Sequence, residues 1–198
     1  MRTVLVIAVC FVVAHFIIST RHNTHPAGVL VPEEPSQTAD SGRTWEKNGF
    51  TIHSLAEYHI RARVISTERY WFDEGAKLSP IDFAVGWGPM SDQSVLDQLS
   101  FGQGMRFYHY QMRSRSRNGL ISLEDVNVHS ANMHLVPSSR AVESDLKSVR
   151  VGDISTLNGY LVEITGPKGF KWHSSLSRTD GGNGACELMW VEDISTQP

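Results

Sequence analysis

The segment from residue 172 to 187, WHSSLSRTDGGNGACE, brings an imidazole and a thiol close together in sequence around a glycine-rich stretch. The sulfur of Cys186 needs an adjacent base or positive charge before it becomes a nucleophile. If the strands on either side of the glycines pair as a hairpin, His173 lies near Cys186 and can act as that base. The segment therefore predicts a thiol hydrolase or transpeptidase with Cys186 and His173 as its catalytic residues.

Other interpretations of this segment stay open. It resembles the Ser-x-Gly-Cys sequence of transpeptidases that act on the cell wall, but Ala185 replaces the glycine and Glu187 follows the cysteine. A carboxylate beside a thiol disfavours the thiolate. Cys186 is also explained as a small buried hydrophobic residue in a terminal strand. Arg178 and Asp180 either bind a ligand, because a guanidinium grips carboxylates in a fixed fork, or pair with each other.

Two further positions are candidates for binding or acid–base chemistry. Trp87 stands between two glycines in GWGP, so its indole either stacks on a ligand or packs into the core. Strand alternation puts Asn132 and His134 on one face and Met133 on the other. With His129 nearby, that face suits an acid–base or metal site, and a hydrogen-bonded structural histidine is the alternative. No HExxH or His-x-His motif occurs, so we expect no metal and no cofactor.

Two functions from different classes follow from these residues. The favoured one is a non-catalytic envelope module that binds a protein partner or a cell-wall component through a polar face. The ligand-binding residues of that face are Trp87, His134, Arg178 and Asp180. The alternative is the thiol hydrolase or transpeptidase, acting on a peptide or cell-wall substrate. The net charge of −3 gives no reason to expect a nucleic-acid partner. The sequence has neither a Gly-x-Ser-x-Gly elbow nor a phosphate-loop pattern, which argues against a serine hydrolase and a nucleotide-binding protein.

The N-terminal sequence indicates the cellular location of the domain that carries these residues. Residues 4–19, VLVIAVCFVVAHFIIS, contain no Asp, Glu, Lys or Arg. A helix of residues 4–20 spans roughly 25 Å, close to the thickness of a hydrocarbon core. No small-x-small cleavage site follows, so residues 1–20 predict an uncleaved membrane anchor, with a cleaved signal peptide as the alternative. The short leader favours an N-terminus inside, which places the domain on the periplasmic or extracellular side.

The rest of the chain divides into a tether and one domain. Residues 21–43 contain three prolines and one short apolar cluster, and they predict a flexible tether that holds the domain away from the bilayer. Residues 44–198 are enough for one domain with its own core. Cys186 is the one cysteine in that range, so we expect no internal disulfide there.

The predicted fold class is α+β, with a strand-rich domain and two short helices. The sheet is expected to be curved and mainly antiparallel, a partly open barrel being one form of it. Helices are predicted to begin at Ser91 and at Ser138 or Ser139. Gly159 interrupts a strand pattern and predicts a bulge or a sharp bend. Strands are predicted at residues 50–53, 58–66, 81–87, 105–112, 126–136, 154–164, 170–176 and 185–191.

The blocks GWGPMSD, SANMHLVP and SSLSRTDGGNGACE resemble an uncharacterised family of bacterial proteins with one N-terminal membrane segment. The resemblance covers most of the chain beyond the tether. It implies a bacterial, membrane-anchored protein and brings no activity with it, so no functional residue is assigned from it.

Overall fold

The computed structural model describes residues 22–40, 42–113, 121–177 and 186–198, and strands dominate these ranges. The strands are β1 (Ser36–Ala39), β2 (Thr44–Lys47), β3 (Phe50–Arg69), β4 (Ile81–Gly86), β5 (Leu99–Gly104), β6 (Phe107–Met112), β7 (Ser130–Pro137), β8 (Ile154–Thr165), β9 (Lys171–His173) and β10 (Glu187–Gln197). The α-helices are α1 (Gln93–Leu96), α2 (Leu123–Val128) and α3 (Arg140–Ser148). A strand-rich domain with short helices and a mainly antiparallel sheet is therefore confirmed.

Five of the strands pair in a closed ring. β3 pairs with β4, β4 with β7, β7 with β10, β10 with β8, and β8 returns to pair with β3. Every pair in the ring is antiparallel except β7 with β10, which is parallel. Five-stranded Greek-key barrels, the class that includes the OB-fold, have this kind of strand arrangement. The short strands β1, β2 and β9 extend the sheet, and β5 and β6 form a separate hairpin.

Strand alternation divides the ring into an inner and an outer face. On β4, Ile81, Phe83 and Val85 belong to the largest apolar cluster, whereas Asp82 between them points the other way. A second apolar cluster lies on the opposite face of the ring and includes Leu188 and Trp190 of β10. The outer face of these strands is therefore buried as well, and a polar side chain placed there is withdrawn from water.

Gly159 lies where two strands of the ring come unusually close. A Cβ atom added to Gly159 would stand 1.9 Å from the carbonyl oxygen of Trp190. The pairing of β8 with β10 shifts register between Val191 and Asp193, directly opposite this glycine. The predicted irregularity at Gly159 is confirmed, and its cause is the close approach of the β10 backbone.

The segment predicted to be a flexible tether is packed against the domain from residue 22 to residue 40. Val31 is fully buried in the main core, and its backbone N–H donates to Ser91 Oγ at 3.0 Å. Asn23 donates its backbone N–H to Val151 O at 2.8 Å. Ser36–Ala39 pairs with β3. One buried valine and one short strand thus hold this proline-rich segment against the domain.

The helices differ in part from the prediction. Ser139 caps α3 by accepting a hydrogen bond from the backbone of Val142, as predicted. The first predicted helix is one turn long and is capped by Asp92 rather than Ser91. α2 was not predicted, although Ser122 and Asp125 form a capping box at its start. Within the described ranges no helix has the length and apolarity needed to cross a membrane, and the predicted N-terminal anchor lies outside those ranges.

Candidate active site

An aspartate and a histidine face each other across β4 and β7. Asp82 and His134 are direct partners in the antiparallel register, so their side chains leave the sheet on the same face. His134 Nδ1 donates to Asp82 Oδ2 at 2.8 Å. Asp82 is fully buried and His134 is 4% exposed. The hydrogen bond fixes the orientation of the imidazole and leaves its Nε2 atom for another partner.

The thiol of Cys186 lies next to this imidazole. The parallel register between β7 and β10 aligns Leu188 with His134, so the start of β10 brings Cys186 level with Asn132. Cys186 is close enough to His134 to raise the pKa of the imidazole, and its sulfur donates to Arg106 O at 4.0 Å. The thiol is partly exposed, whereas the two groups behind it are buried. Three neighbouring strands of the ring thus build a carboxylate–imidazole–thiol series that opens to solvent at the sulfur.

Arg106 binds the Oδ1 atom of the Asp82 carboxylate, whereas His134 binds its Oδ2 atom. Its Nη1 atom donates to Asp82 Oδ1 at 2.8 Å, and its Nη2 atom donates to Asp73 Oδ1 at 2.9 Å. The hydroxyl of Ser79, itself fully buried, donates to Asp82 Oδ1 at 3.3 Å. Asp82 therefore receives hydrogen bonds on both of its oxygens, as a buried polar group requires.

The β5–β6 hairpin explains how Arg106 reaches this position. Met105 and Arg106 both have positive φ values, 52° and 69°, as the two central residues of a type I′ turn do. Non-glycine residues adopt this conformation at a cost, and such positions are concentrated at functional sites. The backbone N–H of Arg106 donates to the hydroxyl of Tyr70 at 2.9 Å, and its guanidinium stacks 3.7 Å from the centre of that ring.

Asn132 also contacts the sulfur of Cys186. Its Nδ2 atom lies 3.5 Å from Cys186 Sγ and donates to Arg106 O at 3.0 Å. Gln103 Nε2 donates to Asn132 Oδ1 at 2.8 Å, which fixes the direction of the amide. An amide N–H held beside a nucleophile can stabilise an oxyanion that forms next to it.

Trp172 on β9 covers the imidazole. The ring centroids of Trp172 and His134 are 4.9 Å apart, and the Arg106 guanidinium lies 5.3 Å from the Trp172 ring. The indole keeps water away from the inner end of the series, so the hydrogen bonds there act in a low-dielectric environment.

The surroundings favour a protonated His134. Burial has the largest single influence on the imidazole and lowers its pKa. The hydrogen bonds to Asp82 and Cys186, together with their negative charges, outweigh burial and raise the pKa of His134 to about 9. The ring is therefore an imidazolium at neutral pH, which is the form that stabilises a neighbouring thiolate.

The structure changes most of the roles predicted from sequence. His173 is exposed and, by alternation, lies on the face of β9 opposite Trp172, so it does not approach Cys186. Trp87 is 1% exposed and belongs to the main core, so it offers no platform for a ligand. Arg178 and Asp180 lie outside the described residues. Of the predicted ligand-binding residues that are described, His134 alone belongs to the site.

Two residues of the site were not singled out from the sequence. Asp82 carried a usable signal, because an isolated carboxylate inside the apolar run IDFAV is rarely buried without a partner. The sequence around Arg106 did not indicate its role, because that role depends on the conformation of a turn. The structure also removes one objection to a reactive thiol: Glu187 shares the inward face of β10 with Met189 and thus points away from the sulfur.

Comparisons of the chain with protein families, with curated proteins and with solved structures find no match. The resemblance to a family of membrane-anchored bacterial proteins therefore stays an expectation. In the part of the chain that the structure describes, no group of three or more His, Cys, Asp or Glu side chains is arranged to hold a metal ion. The functional argument rests on the geometry of the Asp82–His134–Cys186 series.

Proposed function

We propose that the domain is a cysteine-dependent acyl-transfer enzyme, either a hydrolase or a transpeptidase. The observation that carries the proposal is the series Asp82–His134–Cys186, in which a partly exposed thiol meets an imidazole whose other nitrogen is held by a buried carboxylate. A nucleophile, a base and a group that orients the base recur in this arrangement on unrelated folds.

The reaction needs each of these groups at a defined step. The thiolate of Cys186, paired with the imidazolium of His134, attacks an acyl carbonyl, so that a C–S bond forms and the carbonyl electron pair moves to oxygen. Asn132 Nδ2 is placed to donate to that oxyanion. His134 then returns its proton to the leaving group as the bond from carbon to that group breaks, which leaves a thioester on Cys186.

The second half of the reaction regenerates the thiol. A water molecule or an amine gives its proton to His134 Nε2 and attacks the thioester carbonyl. The C–S bond breaks and the thiolate returns to the imidazolium. Water as acceptor makes the enzyme a hydrolase, and an amine makes it a transpeptidase. Asp82 keeps the ring in the tautomer that has Nε2 free, as the corresponding carboxylate does in serine triads.

The substrate class and location come from the sequence. An anchor at residues 1–20 would place the domain at the periplasmic or extracellular surface, where peptides and cell-wall polymers are available. The non-catalytic envelope module remains the competing proposal. It loses support because Trp87 is in the core and so cannot share a binding face with His134.

A simple acyl donor tests the enzymatic proposal. We expect the full-length protein, with Cys10 replaced by Ser, to become acetylated by p-nitrophenyl acetate at one site, which peptide mass spectrometry assigns to Cys186. His134→Gln should slow this acylation by roughly 10²–10⁴-fold, the usual contribution of a general base. His173→Gln is the matched control and should leave the rate unchanged. Acetylation that is absent, or equally fast in the His134 variant, would contradict the proposal.

A further inference from the structure

A basic cleft lies apart from the thiol site. It has a volume of about 870 Å³ and opens between the C-terminal half of β3 and the turn that joins α3 to β8. One carboxylate, that of Asp97, lines it. The cationic side chains that line it are Arg63, Arg69, Arg113, Lys147 and Arg150. This is a concentration of positive charge on a chain whose net charge is −3, so the cleft selects anions.

The cations of the cleft are largely uncompensated. Lys147 pairs with Glu143, but among the described residues none of the four arginines lies within ion-pair distance of a carboxylate. Arg63 is 3% exposed, and its two terminal nitrogens donate to Ser91 O and to Gln93 Oε1, so it adds charge from below the surface. The other three arginines of the cleft are exposed and can bind a phosphate group.

Two exposed aromatic side chains closely follow β3, whose Arg69 lines the basic cleft. Trp71 is 66% exposed and Phe72 is 99% exposed. Lys147 Nζ lies 5.9 Å from the centre of the Trp71 ring, and Arg69 Nη2 donates to Lys147 O at 2.6 Å, so Trp71 lies beside the cations of the cleft. Tryptophan next to Lys and Arg is the combination that proteins place at the boundary between water and lipid.

The path of the chain brings this surface to the membrane. His22 lines the basic cleft, and the next residue, Asn23, is hydrogen-bonded to Val151. The apolar block ends at residue 19. Three residues of extended chain cover at most about 10 Å, so a membrane segment at residues 4–19 holds the cleft within reach of the lipid headgroups.

We propose that the basic cleft, with Trp71 and Phe72, is a docking face that rests on an anionic bilayer and binds the phosphates of its lipid headgroups. The proposal depends on the expected anchor and is independent of the chemistry at Cys186. A domain bound through this face is held in a fixed orientation on the membrane, whereas a domain on a flexible tether would rotate freely.

Hydrogen–deuterium exchange of the full-length protein in lipid nanodiscs tests the docking face. We compare discs of phosphatidylcholine with discs that contain phosphatidylglycerol, at low and at high salt. Peptides covering residues 66–73 and 147–152 should be protected in the anionic discs, and high salt should remove the protection. The double substitution Arg69→Gln with Arg150→Gln should weaken the protection by roughly tenfold or more. The control, Lys168→Gln with Lys171→Gln, removes the same charge at the other end of β3 and should change nothing.

Any other outcome would contradict the proposal of a docking face. Equal exchange in both kinds of disc, or protection that survives the Arg69 and Arg150 substitutions, would show that the cleft does not meet anionic lipid. Protection in phosphatidylcholine discs on addition of inorganic phosphate, without a response to phosphatidylglycerol, would identify a site for a small soluble anion instead. Activity of the cysteine is unaffected by any of these results, so the two proposals fail separately.

Discussion

Asp82 Oδ2 accepts a hydrogen bond from His134 Nδ1 at 2.8 Å, and these two residues are direct cross-strand partners in β4 and β7. The pairing is a consequence of the sheet register rather than of a loop, so the position of the imidazole is fixed by backbone hydrogen bonds. Sites built on strands hold their geometry better than sites built on loops. The same register leaves the Nε2 atom of His134 free for Cys186.

The raised pKa of His134 can be measured through stability. A histidine whose pKa is raised in the fold contributes stability that is complete below its unfolded pKa, about 6.5, and is lost as pH rises through its folded pKa, about 9 for His134. The free energy of unfolding of the native protein should therefore fall as pH rises between these two values, by up to about 1.4 kcal/mol per pH unit.

Replacement of His134 should remove this dependence on pH. In His134→Gln no group with a raised pKa stands at this position, so the free energy of unfolding should not show the fall that the native protein shows above pH 6.5. Urea denaturation of both proteins between pH 6 and pH 9 measures the difference. The same decline in both proteins would mean that His134 is not the group responsible for it.

Arg106 should be important for stability because its partner is buried. Arg106→Gln removes one of two charged partners of the fully buried Asp82, the other being His134, and the loss of a hydrogen bond to a charged group costs about 1.5–3 kcal/mol. Asp73→Asn removes the other carboxylate that Arg106 binds, but Asp73 is 46% exposed and its loss should cost about 1 kcal/mol or less. Chemical denaturation compares the two variants. Similar losses in both would show that Asp82 is not dependent on the guanidinium.

Sequence patterns were sufficient to predict the features that depend on local periodicity. Alternation placed Asn132 and His134 on one face, and the two residues indeed point to the same site. A glycine inside a strand marked the close contact of β8 with β10 at Gly159. These inferences need no knowledge of which strands pair, because the side chains of a strand alternate whatever its neighbours are.

Features that depend on strand pairing could not be derived in the same way. Cys186 was assigned to His173, which is nearer in sequence, whereas the ring topology brings it to His134 through a parallel pair of strands. Trp87 was placed on a ligand face because flanking glycines were taken to expose it. The chain instead turns inward there, and Gly88 N donates to Val31 O of the N-terminal segment. Neither contact has a signature within a few residues of sequence.

The N-terminal segment should contribute to the stability of the domain. Val31→Ala removes two methyl groups from the main core, and we expect it to cost about 1–3 kcal/mol. Val29→Ala is the matched control, because Val29 is half exposed and its substitution should change the free energy of unfolding by about 0.5 kcal/mol or less. Thermal denaturation of the two variants measures the difference. Equal and small effects would restore the description of this segment as a free tether.

Gly159 should tolerate no side chain. The added Cβ atom of Gly159→Ala would meet the Trp190 carbonyl at 1.9 Å, so β10 must shift or the ring must open there. We expect a loss of about 3 kcal/mol or more. Gly104→Ala introduces the same group where no atom lies within 4 Å, and it should change stability by about 1 kcal/mol or less. A Gly159 variant as stable as the Gly104 variant would argue against the close contact between these strands.

The rate at which iodoacetamide alkylates Cys186 tests the central claim most directly. The experiment uses the full-length protein with Cys10→Ser, so that one thiol remains, and compares it with His134→Gln and with the control His173→Gln. An ordinary thiol is only a few per cent ionised at pH 7, so a thiolate paired with His134 should react at least about tenfold faster. We predict fast alkylation in the native protein and in His173→Gln. In His134→Gln the rate should be slow and should rise with pH. A native Cys186 that is inert, or that reacts at the same rate with and without His134, would contradict the account.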